Sequence, residues 1–120
     1  VAVIQPAVKY YFKHGSAADK KRMHYYYGRV LDNGGRYGDA IIEYEKALEY
    51  SDENDYYSLG LLYSSIGRMY MYSHNDRTSS GYMQKSLESF IKSGDEENIR
   101  KAQYSLGIVK HNLREYESAI

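Results

Sequence analysis

The chain has 120 residues, about one domain's worth, with 16 Lys and Arg against 16 Asp and Glu and no cysteine. The balanced charge speaks against a nucleic-acid or anionic-membrane surface, which needs a clustered basic excess, and the missing cysteine excludes disulfide and thiolate chemistry. No apolar run reaches the roughly 18 residues of a membrane span, and no targeting motif is present.

Sixteen tyrosines set the character of the core. Each offers a large apolar ring with a polar tip, so it packs inside and still reaches water. Such a core suits thin layers, as in a stack of helix pairs. The mean hydropathy of −0.72 reflects the same residue, which counts as polar on that scale.

Taken in chain order, the pattern predicts helices throughout. The first covers 4–13. The second covers 17–32, with Ser16 and Asp19 at capping-box spacing, and Asn33-Gly34-Gly35 stops it. The third covers 37–50, where Ala40, Ile41, Tyr44, Ala47 and Leu48 fall on one helical face. The fourth covers 54–72 and turns at Ser73-His74-Asn75-Asp76. The fifth covers 78–92 and breaks at Ser93-Gly94-Asp95. Asp95 then caps a sixth over 96–112, and a last helix is expected to start near Glu115. The Tyr pairs follow a helical period, so no strand is expected. The chain opens on Val1 and closes on Tyr116-Glu117-Ser118-Ala119-Ile120 without a stop signal, as expected of a piece of a longer protein.

The chain also repeats itself. Gly28, Gly67 and Gly107 lie 39 and 40 residues apart. Aligned on them without gaps, Tyr27, Ile66 and Leu106 come one residue before. Ala40, Ser79 and Ala119 come twelve after, and Tyr44 and Met83 sixteen after. Ala47 and Ser86 come nineteen after, Leu48 and Leu87 twenty after. Small residues at fixed offsets mark close helix approach, and large ones between them fill the gaps.

This pattern resembles the tetratricopeptide repeat family, most closely in Asp39-Ala40-Ile41-Ile42-Glu43-Tyr44-Glu45-Lys46-Ala47-Leu48. The resemblance covers about residues 17–120. The period exceeds the family's usual length of about 34, and the closing proline is absent; longer helices account for both. Similar extended repeats occur in bacterial regulatory solenoids. The resemblance implies an all-α fold, a right-handed α-α superhelix of stacked antiparallel helix pairs. It divides a single domain, 1–120, into a helix of a preceding repeat (1–15), repeat 1 (16–53), repeat 2 (54–94) and a truncated repeat 3 (95–120).

Catalytic signals are weak. His14, His24, His74 and His111 share no metal-ligand spacing, and His24 falls on the packing stripe of its helix. No nucleophile elbow, phosphate loop or zinc-protease motif occurs. Glu96 and Glu97 open a helix, where its dipole favours them. We therefore expect no enzyme, no metal and no cofactor.

A second stripe runs six and three residues before each glycine and one, four and five after it. In repeat 1 it holds Arg22, Tyr25, Arg29, Asp32 and Asn33. In repeat 2 it holds Leu61, Ser64, Arg68, Met71 and Tyr72, and in repeat 3 Lys101, Tyr104, Ile108, His111 and Asn112. In the tetratricopeptide family the corresponding stripe lines a partner groove, with the first helices of successive repeats side by side. By that resemblance the groove residues are Arg22, Tyr25, Arg29, Asn33, Ser64, Arg68, Tyr72, Lys101 and Tyr104. Arg supplies a planar fork for carboxylates and Tyr gives contact area at low entropy cost. The partner expected is a protein or peptide with an acidic or C-terminal carboxylate segment, and Arg29 and Arg68 would hold two points of it. Alternatively, these arginines pair with acids on neighbouring helices, or the fragment is a self-association or spacer module. In that case an apolar end at Leu106, Tyr116, Ala119 and Ile120 would join two copies.

Overall fold

In the computed structural model, residues 16–119 are described, with side chains through Glu115. The helix expected over 4–13 and the side chains of Tyr116, Ala119 and Ile120 lie outside the described residues. Five helices account for nearly all of the rest: α1 (Ala17–Asn33), α2 (Tyr37–Glu49), α3 (Tyr56–Tyr72), α4 (Asp76–Ser93) and α5 (Glu96–Ala119). No strand occurs among the described residues. The chain separates into two compact units, Val1–Glu53 with α1 and α2, and Asn54–Ile120 with α3, α4 and α5.

Local chemistry sets the helix ends. The Ser16 hydroxyl accepts from the Asp19 N–H at 3.2 Å, and the Asp19 carboxylate accepts from the Ser16 N–H at 3.3 Å. This closes the capping box read in the sequence. Asp55 caps α3 by accepting from the Ser58 N–H, so that helix starts at Tyr56 rather than at 54. Asn75 does the same for Thr78 and starts α4 at Asp76, two residues earlier than expected. Gly94, at φ 75°, adopts the left-handed conformation that ends α4, and its N–H donates to the Phe90 and Ile91 carbonyls. Asp95 accepts from the Asn98 N–H at the start of α5.

The end of α5 corrects the sequence reading. No break separates 112 from 115, and one helix runs from Glu96 to Ala119. Residues 112–116 hold neither Gly nor Pro, and Leu113 packs against the core of the unit. His111 and Glu115, one turn apart at 3.8 Å, bridge the expected break.

In the first unit α1 and α2 form an antiparallel pair, with Leu31, Ala40, Tyr44 and Ala47 buried. The Tyr44 ring lies on Gly28, where a Cβ would come within 2.7 Å of its Cε1. The Tyr44 hydroxyl donates to Asp32 at 3.1 Å.

In the second unit α4 carries extended contacts with both α3 and α5. Gly67 faces Met83, its partner sixteen residues on, at 3.1 Å from a notional Cβ. One turn-pair away, Gly60 faces Phe90 even more closely, at 2.6 Å. Ser79 and Ser86, both fully buried, cross the same seam: their hydroxyls donate to the Gly67 and Gly60 carbonyls at 2.7 and 2.8 Å. Met83, Leu106 and Val109 form a core cluster, with Met71, Leu87 and Leu113 packed against it.

Two further expectations are corrected here. Leu106 is buried in this cluster and belongs to no open apolar end. Gly107 is exposed, with nothing within 4 Å of a notional Cβ, so it does not pack as Gly28 and Gly67 do. The reason is that, among the described residues, no helix lies against the glycine side of α5, which keeps only the stripe that α3 also buries at Leu62, Ile66 and Met69. Ala102, Leu106 and Val109 stand five and one before the glycine and two after it, and they turn toward α4.

Candidate interaction surface

The stripe residues of α1 follow one another along the helix at spacings of three, four and one. Tyr25, half-buried, rests its ring 5.9 Å from that of Tyr44, centroid to centroid. The exposed Arg29 guanidinium lies over the Tyr25 ring at 6.0 Å from its centroid. A cation held over an aromatic face keeps most of its donors available. One turn toward the N-terminus Arg22, also exposed, is paired with Asp19. Arg22, and after it Ser16, hold the Asp19 carboxyl below the usual carboxylate range. Asp32 accepts from Tyr44 and so is tied to the hairpin core, and Asn33 is exposed at the helix end.

In the second unit Ser64, Arg68 and Tyr72 recur at four-residue spacing on α3 and share one face. Ser64 and Arg68 are half-buried and Tyr72 is exposed. Met71, placed by its offset in the same stripe, packs against the core cluster instead. On α5, Lys101 pairs with Glu97 at 3.2 Å, and Tyr104 is 73% exposed, more than any other large hydrophobic side chain described. The extended contacts of this unit run through α4, which packs against both α3 and α5.

Sequence reasoning missed one arrangement. His24 Nδ1 and Glu43 Oε2 are joined by a 2.7 Å hydrogen bond, both side chains buried. Lys46 approaches Glu43 at 3.5 Å, and the His24 ring stacks on Tyr50 with centroids 5.8 Å apart. At the same offsets from Gly67 stand Tyr63, Tyr82 and Lys85. There the two rings are 6.3 Å apart, and the Lys85 ammonium lies 5.7 Å and 5.4 Å from their centroids. The shared offsets were the available signal, but the side chains differ in kind, which hides the correspondence. No three potential metal ligands converge among the described residues.

Compared with known proteins, the chain matches no family model, and no curated protein matches it.

Proposed function

We propose that this chain is a helical-repeat module that recognises another protein or a peptide, without chemistry of its own. On this reading its hairpins stack into a right-handed superhelix similar to that of the tetratricopeptide repeats. It would serve as a scaffold segment of a larger protein, of the kind found in bacterial regulators. The observation that carries the proposal is the Arg29–Tyr25 pair: a guanidinium held over an aromatic ring, exposed to solvent and standing on a buried tyrosine. That is a prepaid orientation for a carboxylate-bearing segment, since little rotamer freedom remains to be lost on binding. Arg68 stands at the equivalent offset of the next repeat and is the natural second contact.

The test replaces Arg29 and Arg68 together with alanine. Binding is read by fluorescence anisotropy against a panel of peptides with acidic or free C-terminal carboxylate ends, and folding by thermal melting. Loss of peptide binding at unchanged melting temperature supports recognition. No peptide binding by the unaltered chain, or a fall in melting temperature that accounts for the loss, overturns it.

A further inference from the structure

The exposed side of α5 carries a pattern that fits itself. Arg100, Tyr104, Gly107, Ile108, His111 and Glu115 are all exposed, at spacings of three, four or one along the helix. They lie opposite the buried stripe of Ala102, Leu106 and Val109. Gly107 sits at the centre with open space above it, so another helix backbone can approach closely there.

We infer that this face is the contact between two copies of the chain, with the α5 helices crossing antiparallel about a two-fold axis between Gly107 and Ile108. A two-fold contact must be self-complementary, each residue meeting a fixed opposite number. In this register Gly107 meets Ile108 of the second copy, so the branched side chain enters the space above the glycine. Tyr104 meets His111, ring on ring. Arg100 meets Glu115, an opposite charge, and the symmetry supplies every pair twice. The one like-charged pair in the register is Lys101 with Arg114. It sits at the flank, and Lys101 is already paired with Glu97 in its own helix.

The inference is independent of the Arg29–Tyr25 surface, which lies in the other unit. One helix on one helix is a small interface, so the association is weak. Sedimentation equilibrium across roughly 10–500 µM would resolve it. The unaltered chain should pass from monomer to dimer over this range. Gly107→Arg should abolish the dimer without lowering helix content or melting temperature, because nothing in the monomer meets the new side chain and arginine favours a helix over glycine. Arg100→Glu or Glu115→Arg alone should weaken dimerisation about tenfold, each creating two like-charge contacts, and the double exchange should restore it. A monomer at every concentration overturns the inference and leaves the face to a helix of the kind that covers Gly28 and Gly67. So does a dimer indifferent to Gly107→Arg, or charge exchanges whose effects merely add.

Discussion

Gly28 and Tyr44 are in contact so close that the glycine has no room for a methyl group: its Cβ would fall 2.7 Å from the ring. The ring cannot retreat, since it is fully buried and its hydroxyl is held by Asp32. Alanine on a helix ordinarily gains about 1 kcal/mol over glycine. Here the collision outweighs that gain, and Gly28→Ala should destabilise the protein by about 1–3 kcal/mol in urea unfolding.

The same substitution ranks the four glycines. Gly60→Ala, against the buried Phe90 ring, should cost about as much as Gly28→Ala. Gly67→Ala meets the flexible end of Met83 at 3.1 Å and should cost less. Gly107→Ala meets nothing in the monomer and, at concentrations too low for association, should stabilise by up to about 1 kcal/mol. A destabilising Gly107→Ala would mean that its face is occupied in solution.

The two repeats offer an exchange experiment. His24→Tyr alone places a phenol against the buried Glu43, and Glu43→Tyr alone removes the acceptor of His24 Nδ1. Each should destabilise by about 1–3 kcal/mol. The double variant installs the Tyr63–Tyr82 pair of the second repeat at its equivalent place. It should recover at least about 1 kcal/mol relative to the sum of the single effects, measured as a double-mutant cycle.

Ser79→Ala and Ser86→Ala each remove a hydroxyl that donates across the α3–α4 seam. Alanine already fills both equivalent positions in the first repeat, at Ala40 and Ala47. The loss should be confined to the hydrogen bond, about 0.5–1.5 kcal/mol per site by urea unfolding. A larger loss would mean that the serines also fix the register of the two helices.

The capping box predicts a local response to acid. Asp19 titrates lower in the folded chain than in the unfolded one. Its contribution is therefore complete above the unfolded value and is lost as pH falls through the folded one, below about pH 4. Amide hydrogen exchange at Asp19 and Lys20 should quicken there before the rest of α1 does. Asp19→Asn should remove that pH dependence.

Legibility in the sequence followed a simple rule. A feature was visible where the same kind of residue returned at the same offset. Gly28 with Tyr44 and Gly67 with Met83 were paired by spacing alone, because small-against-large packing leaves a signature that survives the change from Tyr to Met. The His24–Glu43 link was hidden because its counterpart, Tyr63–Tyr82, serves the same place by stacking rather than by hydrogen bonding. Gly60 and Phe90 had no counterpart, since Lys21 and Ser51 hold those offsets in the first repeat. Gly107 misled for the opposite reason: its offset is right, but among the described residues nothing packs against it. Of the proposed surface, the Tyr25–Arg29 contact followed from helical spacing, and Met71, left out of the groove residues in the sequence, packs against the core.

Lys21 in the place of Gly60 also bears on how the chain assembles as it emerges from the ribosome. Repeated hairpins invite a helix to close on the wrong mate. If α1 closed on α4, the Lys21 side chain would stand where Phe90 needs bare backbone, and His24 would face Tyr82 in place of the carboxylate of Glu43. If α2 closed on α3, Glu43 would be sequestered against Tyr63 with no imidazole to meet it, which is unfavourable. Each hairpin thus carries its own address, written in the side chains its two helices present to each other.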